Sequence, residues 1–100
     1  MKGFNENLET MKKMMEAKNH DYGATEDAFN NFRNCERLGI CSAEKGILVR
    51  MSDKLSRAST LLNKEAKVED EKIRDTIIDL CVYGNILLCL LEEKNNGKKN

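Results

Sequence analysis

An all-α domain is the fold class that this sequence predicts, and three observations predict it. Proline is absent from the 100 residues, so no position removes a helical N–H or clashes with the preceding turn. Charged residues make up 34% and aromatic residues only 5%, and the valine and threonine that favour strands are scarce. Apolar residues recur at steps of three and four, the helical period. The expected architecture is a single small four-helix bundle-like domain over residues 1–94. Its helices fall at about 4–18, 26–38, 43–64 and 70–93, and the polar tail 95–100 has no reason to be ordered. A chain of this length buries a real but small core, so a homo-oligomer is expected.

Each helix has its own signals. Phe4, Leu8, Met11, Met15 and Lys18 keep helical spacing in the first, which the turn-favouring run Asn19-His20-Asp21-Tyr22-Gly23 ends. Thr25 suits an N-cap and Glu26 and Asp27 a first turn. The second helix then carries Ala28, Phe29, Phe32 and Cys35 and stops at Leu38-Gly39, with Gly39 as its C-terminal cap. Ser42 caps the third helix. Gly46 inside it costs about 1 kcal/mol relative to alanine, which points to close packing, to close approach of a ligand, or to a tolerated exposed site. Asn63 to Lys67 is a polar break. The acids Glu69, Asp70 and Glu71 suit the start of the fourth helix. From Ile77 to Leu91 that helix is apolar nearly all round, as a central bundle helix would be.

The charge balance excludes some partners. Lys plus Arg and Asp plus Glu both number 17, so no net field draws the chain to nucleic acid or to anionic lipid, and direct nucleic-acid binding is not expected. The run Ile77–Leu91 is too short to span a bilayer and contains Asp79 and Asn85. The N-terminus has no apolar signal region. No membrane partner and a cytoplasmic location are the expectation. Cys35, Cys41, Cys81 and Cys89 form no CxxC pattern, Cys81 and Cys89 stand two turns apart, and the one histidine is distant. Reduced, structural thiols are expected rather than a zinc site or disulfides.

Three groups could carry chemistry. The third helix has two stripes. Leu48, Met51, Leu55, Ala58 and Leu62 are apolar and predict a core face. Arg50, Asp53, Lys54 and Arg57 are charged and lie within reach of one another at i, i+3 and i+4. The charged stripe suits a solvated face with weak ion pairs. It also suits a phosphate site, because three cations surround one carboxylate. On the fourth helix Glu71, Asp75 and Asp79 stand four apart. Asp79 sits among Ile77, Ile78, Leu80, Cys81 and Val82, and a carboxylate placed there requires a dedicated partner. Arg50, Lys54 and Arg57 are the candidates. Asp75 and Asp79 one turn apart would also suit Mg²⁺. The third group, Asn19 to Gly23 with Phe29-Asn30-Asn31-Phe32, needs no function as turn chemistry and an aromatic core face. As a site it offers rings for stacking and amides for reading a base. His20 has no nucleophile in a recognisable setting, and glycine-rich phosphate loops are absent.

Taken in order, Asp21-Tyr22-Gly23, Phe29-x-Asn31-Phe32, Gly39-Ile40, Arg50-x-x-Asp53-Lys54-x-x-Arg57 and Asp75-Thr76-x-x-Asp79-Leu80-x-x-Tyr83 resemble the nucleotide modification associated domain 1 family. These are small helical proteins found largely in bacteriophages and mobile elements. The resemblance covers roughly residues 18 to 88 and implies a nucleotide-related role in phage biology. More distantly, the chain is similar to the MazG-like all-α nucleoside triphosphate pyrophosphatases, which hold Mg²⁺ between ExxE and ExxD pairs. Here Asp53 stands beside cations and Asp75-x-x-x-Asp79 replaces ExxD, which puts metal-dependent hydrolysis in doubt.

Three functions follow as expectations. The first is a protein that binds a nucleotide or nucleotide-derived molecule and needs no cofactor. Arg50, Lys54 and Arg57 would meet phosphate, Tyr22, Phe29, Asn31 or Phe32 would meet base or ribose, and Asp21, Asp53, Asp75 and Asp79 would complete the site. In a phage, such binding without turnover would sequester a host immune signal as an anti-defence function. The second is a Mg²⁺-dependent pyrophosphohydrolase with the metal on Asp75 and Asp79. The third is an inhibitor that binds a host protein through the charged stripe. Within the stripe, Arg50 and Lys54 are expected to face the ligand, with Asp53 and Arg57 as scaffold.

Overall fold

The computed structural model describes residues 1–21, 30–63 and 69–99. Among these it is all-α. The four helices are α1 (Phe4–Asp21), α2 (Asn30–Arg37), α3 (Ala43–Leu62) and α4 (Glu69–Lys99). The predicted start of the second helix at 26–29 and residues Tyr22 and Phe29 lie outside the described residues. So does Lys64, the expected last residue of the third helix. No helix among the described residues is long and apolar enough to cross a membrane.

The caps set the α2–α3 corner. Gly39 adopts φ 73°, the left-handed conformation that a side chain disfavours. Gly39 N donates to Glu36 O at 3.0 Å and Ile40 N to Cys35 O at 2.9 Å, the paired bonds of a Schellman ending. Ser42 begins α3 as predicted: its Oγ accepts from Lys45 N at 3.2 Å. Glu36 reaches forward from α2, and its Oε1 accepts from Ala43 N at 2.8 Å. A second free N–H at the start of α3 is thus satisfied by a side chain of the preceding helix.

The centre of the molecule is the antiparallel pair α3–α4, with α1 packed on α4 and α2 on α3. Ala43, Ile47, Ile78, Val82, Ile86 and Leu90 form the buried core, and Met11, Met14, Met15, Phe32, Met51 and Tyr83 close around it. On α1, Arg74 of α4 donates to Asn7 Oδ1 at 3.0 Å, while Phe4 and Leu8 stay about half exposed.

Three expectations change. First, α1 runs to Asp21 rather than 18; the small helix penalty of Asn, His and Asp is outweighed there by continuation of an established helix. Second, α4 continues to Lys99, through the stretch 95–99 expected to be an unordered tail. The anchor is electrostatic. Arg33 Nη2 meets Glu93 Oε1 at 2.7 Å, and Lys94 Nζ meets Glu36 Oε1 at 3.2 Å and also Glu44 Oε1. These pairs hold the last turns of α4 against the α2–α3 corner, and the closing lysines suit a helix C-terminus. Third, the stripe Leu48, Met51, Leu55, Ala58, Leu62 is not the core face of α3. Ala58 is buried and Met51 half-buried, but Leu48, Leu55 and Leu62 remain 51%, 56% and 72% exposed. Ala43, Ile47, Ala58 and Leu61 are the buried edge. Rotating the face by one residue brings Lys54 to α4 and turns the three leucines away from it.

Candidate functional site

Two layers of α3–α4 contact build the site. Arg50 lies opposite Tyr83, its guanidinium 5.9 Å from the ring centroid, within range of a cation–π contact. One turn on, Lys54 Nζ meets Asp79 Oδ2 at 3.0 Å. The two helices run antiparallel, so a step of four along α3 is matched by a step of four back along α4. Asp79 therefore has the dedicated partner its setting requires, and Lys54 is that partner. The two side chains are 25% and 28% exposed, so the pair sits at the edge of the core rather than inside it.

Beside the Arg50–Tyr83 layer a cleft of about 450 Å³ opens between α2 and the α3–α4 pair. Its walls are mainly apolar, with Met15, Phe32, Val49, Tyr83 and Ile86 among them, and its polar groups are Asn31, Arg50, Cys35 and Cys41. Phe32 meets Tyr83 edge to face, with centroids 6.1 Å apart at 85°, a favoured aromatic geometry. Gly46 lines the cleft as well. A Cβ there would lie 3.5 Å from Cys35 Sγ and 3.7 Å from Phe32 Cδ1. Both are ordinary contact distances, so the packing with α2 has room for an alanine, and the glycine leaves that much more of the cleft open. Lost solvation pushes the Cys41 thiol up, and the adjacent Cys35 adds to the shift. Both cysteines are free thiols at rest in this wall, whereas the free Cys81 and Cys89 are exposed on α4.

Of the predicted residues, Asn31, Phe32 and Arg50 meet in the cleft. Lys54 and Asp79 pair with one another one turn away. Asp53 and Arg57 instead line a shallow depression with Ser56 and Thr60. Asp75 is exposed on α4. The backbone of Asp21 ends α1, and Tyr22 and Phe29 are outside the described residues. The charged stripe is therefore divided among three settings rather than gathered at one ligand. Cys35, Cys41, Val49, Tyr83 and Ile86 line the cleft without having been singled out as site residues. Tyr83 carried a signal: it follows Asp79 by one helical turn, on the face turned to the cationic stripe.

Among the described residues, the acids expected to hold Mg²⁺ are not gathered as a free donor set. Asp79 is engaged by Lys54, no carboxylate lines the cleft among the described residues, and no three potential ligands gather elsewhere among them. A hard cation needs several free oxygen donors around one point. Among the described residues, the fold and site define a small all-α protein with an apolar, aromatic cleft edged by a guanidinium. No family model, curated protein or solved structure matches the chain.

Proposed function

We propose that this protein binds a small anionic molecule with a planar ring, of the nucleotide class, in the cleft between α2 and the α3–α4 pair, and does not turn it over. One observation carries the reading: an apolar cleft of about 450 Å³ has two aromatic rings in its wall and Arg50 at its edge. The volume falls in the range of small-molecule sites, roughly 300–1,000 Å³, and apolar walls with a few placed polar groups are their usual composition. A base would lie against Phe32 or Tyr83 and be read by the Asn31 amide. Arg50 would hold the phosphate with paired N–H donors. Lys54, committed to Asp79, would add positive potential from one turn away without touching the ligand. The resemblance to the nucleotide modification associated domain 1 family supports the nucleotide class and suggests the setting: a bacteriophage protein, homo-oligomeric, that sequesters a host nucleotide signal in the cytoplasm.

Binding without turnover is preferred to hydrolysis because no acidic pair lines the cleft among the described residues. Calorimetry against mono-, di-, cyclic and ADP-ribose-type nucleotides tests the reading. One class should bind and be recovered intact. Arg50→Gln should weaken binding roughly tenfold or more, the worth of a charged hydrogen-bond pair. Failure of every nucleotide to bind at high micromolar protein would sink the proposal, and so would recovery of a hydrolysed product.

A further inference from the structure

The face of the α3–α4 pair opposite the cleft carries a second feature. In an antiparallel pair of right-handed helices, the residue one step past each contact position turns to the same side of both helices. On α3 the contact positions Ile47, Met51, Lys54, Ala58 and Leu61 are followed by Leu48, Ser52, Leu55, Ser59 and Leu62. On α4 the residues Asp79, Tyr83, Leu87 and Leu90 are followed by Leu80, Gly84, Leu88 and Leu91. None of these nine following positions is charged, in a chain that is 34% charged. Apolar surface is left open there: Leu55, Leu62 and Leu88 are each more than half exposed, and Leu91 is 43% exposed.

We propose that this face is the contact surface for a second copy of the chain. Three arguments commit the occupant. The α3 positions 48, 52, 55, 59 and 62 advance by four, three, four and three. That is the 3.5-residue period of a helix–helix seam. The seam alternates leucine and serine. The order reads the same in both directions, so run antiparallel about Leu55 it sets Leu48 of one copy against Leu62 of the other, Ser52 against Ser59 and Leu55 against Leu55, and it is self-complementary about a two-fold axis. The area also fits. The α3 stripe from Leu48 to Leu62 is about 21 Å long and the α4 stripe from Leu80 to Leu91 about 16 Å, offset along the pair by the antiparallel register and each about 10 Å wide. With its relief counted it offers on the order of 600 Å² per chain, the lower bound of a standard specific interface and the upper end of what monomers leave exposed. A lipid surface is disfavoured as occupant, because the chain has no net charge to hold it on anionic lipid.

The experiment is the solution mass of the full chain by light scattering and sedimentation velocity, up to about 100 µM, where even a micromolar interface is populated. The wild type should show about twice the 11.4 kDa of one chain. Ser52→Arg with Ser59→Arg should return it to one chain with helical circular dichroism unchanged. Both serines are exposed, and arginine is the better helix former, so the variant folds. Ser56→Arg, on the far side of α3, should leave the dimer intact. A monomeric wild type overturns the proposal, and so does an assembly of any size that the double arginine variant leaves unchanged. The cleft plays no part in this readout, so ligand binding and self-association stand or fall separately.

Discussion

Removing Lys54 tests whether the layer beneath the cleft is held by charge. Lys54 Nζ and Asp79 Oδ2 are 3.0 Å apart. At an effective dielectric constant of about 20 their gross attraction is roughly 5 kcal/mol, most of it offset by desolvation. Both side chains keep about a quarter of their exposure. The net cost of breaking the pair therefore lies between the 0–1 kcal/mol of exposed pairs and the 3–5 kcal/mol of buried ones. Lys54→Met should cost about 2 kcal/mol, because it leaves a carboxylate among apolar neighbours with no partner. Asp79→Leu should cost less, about 1 kcal/mol, because a lysine can swing its ammonium to water along its flexible stem. The double variant should return to within about 0.5 kcal/mol of wild type, since two apolar side chains replace two charges. For a domain of this size the loss in Lys54→Met corresponds to a fall in Tm of roughly 10 °C. Urea denaturation of all four proteins, at one fixed protein concentration because self-association adds to stability, gives the coupling energy directly. Single effects that add in the double variant would show that Lys54 and Asp79 do not act on one another, and the layer would need another explanation.

Two further outcomes follow. Gly46→Ala should stabilise α3 by about 0.5–1 kcal/mol, because the new methyl meets Cys35 Sγ and Phe32 at ordinary contact distance and removes the glycine helix penalty; Gly46→Leu should instead crowd the cleft and lower ligand affinity in calorimetry, and destabilisation by alanine would show that the two helices are closer than the geometry indicates. The Glu36–Lys94–Glu44 cluster makes the end of α4 sensitive to pH. The Ala43 N–H and then Lys94 hold Glu36 below its usual 4.5, and Lys94 does the same for Glu44; both therefore add stability that is present above pH 4.5 and lost as pH falls through their folded values. Lys94 is raised above 10.5, chiefly by Glu44, and its share is present below that pH and lost above its folded value. Amide protection over residues 93–99, measured relative to the intrinsic exchange rate at each pH, should fall in acid, and Glu44→Gln should reduce that dependence.

The leucines of α3 show where sequence periodicity reaches its limit. A stripe at three- and four-residue steps identifies a helix and says that one face is buried, but adjacent registers differ by only 100°. Met51 and Ala58 belong to both the predicted and the observed face, so they could not separate them. Lys54 decides the register, because it must face α4 to meet Asp79. The end of α4 has a different cause. Asn95 to Lys99 looks like a polar tail in isolation. Its helix is sustained by Glu93 and Lys94 meeting Arg33, Glu36 and Glu44, partners some fifty to sixty residues away.

What the sequence determined alone was local. Four helices, the Ser42 cap, the Gly39 ending, and the need of Asp79 for a cation all follow from near neighbours and from the cost of stranding a charge among apolar groups. What only the tertiary structure decided was the division of labour within Arg50, Asp53, Lys54 and Arg57. The four residues share a helix and cannot be ranked by spacing. The antiparallel packing of α4 turns Arg50 to Tyr83 and Lys54 to Asp79, and leaves Asp53 and Arg57 to solvent. The cleft is likewise a product of packing, because Asn31, Phe32, Gly46, Arg50 and Tyr83 meet only when α2 docks across Gly46.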